Sequence, residues 1–398
     1  MSTCVSLRGV VFVVLAACFV GGLGCNLLPT NPPPLDGDAD QVFEIAGQRF
    51  RVETVATGLE VPWSLAFLPD GRLVLTERPG RLRILDVSNG ATLLVQHIQD
   101  VAPQLPRSEV GLMGLAVSPQ FESDGLVYVS YTSPVGFGLK NVVERLRLRE
   151  SGFERADAAP LIDHLPAGYV HDGLPLRFGP DGKLYASTGE ATKAQQAQDL
   201  DYLGGKFLRF NADGTIPADN PFPGSPVWSL GHRNPQGFAF HPTRPDLLLA
   251  TEHGSSFPLD GTGGEDEVNR ILPGRNYGWP LYRRDQTAAG FEPPWWQSGD
   301  EAIAPAGATF CTGSLFPAWR DAFLFVGLRG ASLWVMQLAA DGPDGVADID
   351  RGLRDQYARL RAIVEGPDGH IYMSTSNRDG RGTPGPDDDR ILRLVPVE

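Results

Sequence analysis

A tight turn followed by a short hydrophobic run occurs six times along this chain, and it limits what the chain can fold into more than any other feature. The copies begin with Leu68-Pro69-Asp70-Gly71 before RLVLTE and Phe121-Glu122-Ser123-Asp124-Gly125 before LVYVSYT. Next come Gly179-Pro180-Asp181-Gly182 before KLYASTGE and a looser Pro242-Thr243-Arg244-Pro245-Asp246 before LLLATEHG. The last two are Pro317-Ala318-Trp319-Arg320-Asp321 before AFLFVGLRG and Gly366-Pro367-Asp368-Gly369 before HIYMSTSN. Asp-Gly suits a tight turn because Gly tolerates positive φ and Asp hydrogen-bonds its own turn. The runs that follow are β-branched and aromatic, as strands should be. Copies recur every roughly 50 to 75 residues, room for about four short strands each. The spacing predicts an all-β chain forming a six-bladed β-propeller over residues 42–398. A β-sandwich array is the competing architecture, but six graded copies favour the ring. The 47 Gly and 34 Pro agree with a turn-rich fold, and no long amphipathic helical pattern competes.

The ends of the chain read differently. Residues 1–25 form a signal-peptide pattern: Arg8 precedes an apolar run too short to span a bilayer. Leu15-Ala16-Ala17-Cys18 and Gly22-Leu23-Gly24-Cys25 are two candidate lipobox sequences, so a lipidated Cys18 or Cys25 is expected, with a plain secretory signal as the other reading. Residues 26–41 read as a Pro-rich tether. The expected location is therefore exported, periplasmic or anchored to the membrane through lipid alone. Cys311 is the one cysteine of the body, so no disulfide within the domain is available. The net charge of -14 argues against nucleic-acid partners, because like charge repels phosphate backbones.

Propeller strands line a central channel, and the loops between blades converge at one mouth. Four polar clusters stand beside the repeated elements. His171-Asp172-Gly173 places a histidine able to accept a hydroxyl proton near neutral pH, although a lone His is commonly structural. Gly231 to Gly237 holds Arg233, Asn234 and Gln236, donors suited to a polycarboxylate or quinone, or else an internally satisfied turn. Glu252 to Ser256 with Gly263 to Asn269 combines loop carbonyls and carboxylates, hard ligands suited to calcium or simply an acidic solvated loop. Arg359 and Arg361 alternate onto one face of a strand, where pairing with surface acids is the plainer reading. There is no Gly-rich phosphate loop with Lys, no His-Glu-x-x-His motif and no Gly-x-Ser-x-Gly elbow.

Together these residues resemble the soluble quinoprotein glucose/sorbosone dehydrogenases, which use pyrroloquinoline quinone (PQQ). The resemblance runs from Val61-Pro62-Trp63 to Ile391-Leu392 and includes Val110-Gly111-Leu112-Met113-Gly114-Leu115, Asp266-Glu267-Val268-Asn269 and Asn276-Tyr277-Gly278-Trp279-Pro280. It implies a six-bladed propeller that oxidises a sugar or polyol and passes electrons to a quinone or redox protein. It also implies His171 as general base, and Glu109, Arg233, Asn234, Gln236, Arg329, Arg359 and Arg361 around the cofactor. Gly254 and Ser255 match carbonyl ligands of a cofactor-side calcium, and Glu267 and Tyr277 match a second, structural calcium site. PQQ is a tricarboxylate quinone, so surrounding cations make chemical sense. The chain departs from the family pattern at Leu174-Pro175, where Gly-Arg is frequent, and at Glu109, where the glucose-oxidising members carry Gln. Two other readings accompany the dehydrogenase: a non-catalytic binding or interaction propeller, and a calcium-dependent lactonase.

Overall fold

The protein is described by a computed structural model over residues 41–105, 107–255, 263–284, 286, 288–339 and 345–398. The leader expected at residues 1–25, with Cys18 and Cys25, and all but the last residue of the tether lie outside the described residues. So do Ser256 and the rest of residues 256–262. Among the described residues no helix is long and apolar enough to cross a membrane.

Six antiparallel sheets follow one another in sequence and form a six-bladed propeller. Blade 1 runs through Pro62–Phe67, Leu73–Glu77, Arg81–Asp86 and Ala91–His97. Blade 2 begins at Leu112–Val117, blade 3 at Gly173–Phe178, blade 4 at Pro235–Phe240, blade 5 at Pro305–Phe310 and blade 6 at Leu360–Glu365. Each of these innermost strands packs on the next, and that of blade 6 returns to that of blade 1, which closes the ring. Blade 6 is itself composite. Ile371–Thr375 and Ile391–Pro396 come from the C-terminal end, and Gln48–Ala56 from the other end of the chain pairs with the last of them.

The repeated turn joins the first and second strands of every blade, so the repeated hydrophobic run is the second strand. The innermost strand precedes the turn. The turn chemistry is visible in four copies: Asp70, Asp181 and Asp368 each accept a backbone N–H two residues on, at 3.1 Å, and Asp124 accepts that of Leu126 at 2.8 Å. Gly71, Gly182 and Gly369 follow with φ of 86°, 71° and 81°, values that L side chains avoid. The second strands of five blades, such as Leu73–Glu77 and Leu184–Thr188, are buried along their whole length, with sheets packed on both faces. Their continuous apolar character follows from that.

All six innermost strands carry a register shift at their start. A bulge at that point bends the strand and re-aims its side chains. It does so at the end where the strands enter from the inter-blade loops, and that end holds the candidate site.

Candidate active site

Two recesses share the mouth of the ring. The first is lined by Trp63, Met113, Gln236 and Arg361 from the bulged strand starts. Its walls include Arg78, Glu109, Asp172, His253, Arg359, Asp379 and Arg381. Arg361 is 6% exposed, donates to Gln236 Oε1 at 2.7 Å and lies 4.0 Å over the Trp63 ring. Burial pushes it down to about 9, and Glu109 opposes that shift. Arg359 grips Asp379 Oδ2 through Nε and Nη2 at 2.8 and 2.6 Å, and reaches the Leu328 carbonyl at 3.1 Å. Arg78 is buried and its Nε has no partner.

Glu109 is the charge that seemed out of place in such a recess. Its Oε1 accepts Arg381 Nη1 at 2.9 Å and its Oε2 accepts the His171 backbone N–H at 2.8 Å. Burial raises this carboxyl, but Arg381, His171 and His253 outweigh it and hold it down at about 2. The side chain is therefore an ionised strut between two loops. It makes no hydrogen bond to Arg78 or Arg361, although its charge acts on both.

His171 stands next to Asp172 and Gly173, which line the first recess, at the inter-blade turn before blade 3, with φ of 61°. Its Nδ1 meets Glu190 Oε1 at 2.5 Å, and Arg233 Nη2 meets its Nε2 at 3.2 Å. A guanidinium can only donate, so Nε2 carries the lone pair, and the proton sits on Nδ1 facing the carboxylate. Glu190 is buried and follows the second strand of blade 3. Arg233 is held in turn by the His253 carbonyl at 3.1 Å and by the Trp279 ring at 5.3 Å. Asn234 is fully buried, accepts Gln236 Nε2 at 2.9 Å and leaves its Nδ2 without a partner.

The second recess lies beyond Arg233 and is lined by Gly254, Glu252, Glu265, Glu267 and Tyr277, among others. Gly254 donates its N–H to Asp266 Oδ1 at 2.8 Å, while Asp266 Oδ2 takes the Ile303 and Ala304 N–H groups. The loop bearing Gly254 and Ser255 is thus tied to the entrance of blade 5. Burial pushes Glu267 up to about 8, with Glu252 adding to the shift, and the neighbouring Asn269 Oδ1 is buried without a partner. Two like charges and an orphaned oxygen fit a hard cation chemically. Among the described residues, however, no three His, Cys, Asp or Glu side chains converge to hold one, so backbone carbonyls would have to complete its shell. The Tyr277 hydroxyl donates to the Arg270 carbonyl and accepts the Leu272 N–H, and its ring stacks 4.5 Å from His232.

The structure therefore gathers Glu109, Gln236, Arg359 and Arg361 at one recess and Arg233, Gly254, Glu267 and Tyr277 at the other, while His171 lines neither and stands beside the first, next to Asp172 and Gly173. Arg329 is different: Leu328 before it lines the first recess, while Arg329 itself is exposed. Sequence reasoning missed Glu190, Arg78, Arg381 and Asp379, and quoted His253 without a role. A signal existed for three of these. Arg78, Glu190 and His253 each fall just after the second strand of a blade, where the chain reaches the mouth.

The donors also fit a planar polycarboxylate. Two buried guanidiniums with spare N–H groups face the first recess beside the flat face of Trp63. A family model described as "Glucose / Sorbosone dehydrogenase" matches residues 59–392. An Escherichia coli protein named aldose sugar dehydrogenase YliI is 30% identical, over 83% of this chain and 91% of that one. The quinoprotein glucose dehydrogenase B of Acinetobacter calcoaceticus is 30% identical over 60% of this chain and 54% of its own length. The PQQ-bound aldose sugar dehydrogenase of Streptomyces coelicolor is 34% identical, with a TM-score of 0.76, over 92% of this chain and all of that one.

Proposed function

Because this chain belongs to the glucose/sorbosone dehydrogenase family, we propose that it is a PQQ-dependent dehydrogenase that oxidises a hydroxyl of an aldose or related polyol, with His171 as the base. The observation that carries the reading is the Glu190–His171 pair, with Nε2 meeting Arg233 and with Asp172 and Gly173 next to it lining an arginine-rich recess. PQQ, when bound, supplies the two-electron acceptor for a hydride, and calcium beside it a Lewis acid on the quinone oxygens. Arg78, Arg359 and Arg361 would hold the cofactor's carboxylates, and Trp63 would offer a flat apolar face. Gly254 and Ser255 would supply carbonyls to the cofactor-side calcium, with Glu267 and Tyr277 at a second one.

The substrate loses a hydride from carbon and a proton from oxygen, and His171 Nε2 takes the proton. Glu190 keeps Nδ1 protonated and balances the imidazolium that results. Glu109 fixes the His171 backbone, and Arg233, fastened by the His253 carbonyl, stands beside the reacting hydroxyl. The expected leader would export the enzyme, and its electrons would pass to a quinone or a redox protein.

Purified protein given PQQ and calcium, with an aldose panel and an artificial electron acceptor, tests this. Turnover should require both additions. His171→Ala should lose on the order of 10²- to 10⁴-fold in kcat and still bind PQQ by calorimetry. Failure of the wild type to bind PQQ overturns the quinoprotein reading. Full turnover by His171→Ala overturns the base.

A further inference from the structure

His253 follows the second strand of blade 4 and, among the described residues, is the one that lines both recesses. Its backbone is pinned by three bonds. The His253 N–H donates to the Asn234 carbonyl at 3.1 Å, and the His253 carbonyl accepts Arg233 Nη1 at 3.1 Å. The next N–H, that of Gly254, goes to Asp266 Oδ1 at 2.8 Å. The ring is treated differently: its Nε2 is buried and has no partner.

Two other histidines at the mouth make the contrast. His232 is fully buried, and its Nδ1 meets Glu252 Oε2 at 2.9 Å while its Nε2 meets Ser229 Oγ at 2.8 Å. His171 has Glu190 on one ring nitrogen and Arg233 on the other. The fold therefore satisfies the imidazoles beside His253 and leaves this one open. A buried polar atom without a partner is costly, and such exceptions call for an explanation. Rigid backbone around an unsatisfied side chain is the arrangement of a preformed ligand site. Arg78 Nε, also buried without a partner, lines the first recess together with His253.

We propose that His253 donates its Nε2–H to an oxygen of the bound cofactor where the two recesses meet. The assignment rests on PQQ being that cofactor. PQQ presents carboxylate and quinone oxygens, which accept hydrogen bonds, so the tautomer with its proton on Nε2 is the one that serves.

The full-length protein and three variants test this by PQQ calorimetry and thermal unfolding. Glutamine places an amide N–H near the position of Nε2, asparagine places one nearer Nδ1, and leucine has none. His253→Leu and His253→Asn should bind PQQ on the order of 10- to 100-fold more weakly than wild type, and His253→Gln within about threefold of it. Without PQQ, His253→Leu should unfold at a temperature no lower than wild type, because an unsatisfied buried nitrogen has been removed. A residue that merely shaped the mouth would lower that temperature. The visible absorption of bound PQQ names the acceptor. A band that moves in His253→Leu but not in His253→Gln marks a quinone oxygen, and an unmoved band marks a carboxylate. Three results would overturn the inference while leaving the quinoprotein reading in place: wild-type affinity in His253→Leu, equal losses in His253→Gln and His253→Leu, or losses that track a lowered unfolding temperature of the cofactor-free variants. A wild type that binds no PQQ overturns both. Should His253→Leu not fold, the split between glutamine and asparagine decides alone.

Discussion

At the scale of single residues, the candidate site holds two buried carboxyl groups whose partners differ. Glu190 Oε1 accepts the Nδ1–H of His171, so Glu190→Gln should misorient the ring or select the wrong tautomer. We expect kcat to fall at least ~10-fold, within the ~10²–10⁴ that base catalysis supplies, with PQQ affinity by calorimetry unchanged. Loss of PQQ binding along with kcat would instead mean that Glu190 merely supports the fold of the mouth. Asp172 is a different case. It is 1% exposed, its Oδ2 has no partner, and burial pushes it up to about 7 against the Gly168 N–H and Asn141 bonds to Oδ1. The unfolded chain releases this proton near its ordinary value of 3.8, whereas the folded chain keeps it to about 7. Between those values the folded state binds more protons, so Asp172 costs stability progressively as pH rises from about 4 to 7, and the cost is constant above that. Its ceiling is about 4 kcal/mol. Asp172→Asn should flatten the wild-type decline between pH 4.5 and 7.5, measured by urea unfolding of the cofactor-free protein. An unchanged slope would show that Asp172 is ionised in the fold. Neither role could be read from the sequence. His171-Asp172-Gly173 was legible as a candidate site, but which carboxyl faces the ring depends on a strand that returns 19 residues later.

At the scale of elements, the same local features build the blades and aim the site. The Asp-Gly turns were legible because their chemistry is local: a side chain bonding two residues on, then a positive φ. The bulges were not, because each is a mismatch in pairing between strands and leaves no residue signature. They place Trp63, Met113, Gln236 and Arg361 in one recess, whereas Arg329 is exposed although it follows a second strand as Arg78 and His253 do. Leu174-Pro175 is part of one bulge. Leu174 has φ of 76°, is fully buried, and its carbonyl accepts the Ser130 hydroxyl at 2.7 Å, so this departure from the family pattern is packed into the fold. Gly173 and Gly182 make a controlled comparison. Their φ values are 66° and 71°, yet a Cβ on Gly173 would meet the Gly189 nitrogen at 2.7 Å, whereas one on Gly182 meets nothing within 4 Å. Gly182→Ala should cost about 1 kcal/mol, the backbone term alone, and keep full activity. Gly173→Ala should cost at least about 1–2 kcal/mol more and lose turnover, because its displacement moves His171. Equal costs in urea unfolding would show that the bulge is not tightly specified.

At the scale of the whole molecule, stability rests on closing a ring without a disulfide. Cys311 is buried and is the one cysteine among the described residues. Closure is made by Gln48–Ala56, which pairs with Ile391–Pro396 through Val52 opposite Leu394 and Thr54 opposite Leu392. The family model begins at residue 59 and leaves this strand outside, so family resemblance alone would not reveal its importance. Its packing does. Phe50 is fully buried, its ring lies 5.4 Å edge-on to Trp319, and the Trp319 Nε1 donates to the Ile45 carbonyl at 2.9 Å. Trp319 belongs to the most degenerate copy of the repeated turn. That copy lost its Gly, took φ of 63° at Asp321 itself and gained an aromatic anchor, so its divergence reflects docking on the closing strand. If closure is cooperative, Phe50→Ala should lower stability by roughly 3–5 kcal/mol and still unfold in a single transition seen alike by tryptophan fluorescence and circular dichroism. Leu93→Ala, on the exposed outer strand of blade 1, should cost no more than about 0.5 kcal/mol. Removal of residues 41–56 should expose the unpaired edge of Ile391–Pro396, abolish the cooperative transition and give aggregates by size-exclusion chromatography. A monomeric truncated chain that unfolds as wild type would mean that the other strands hold the ring without it.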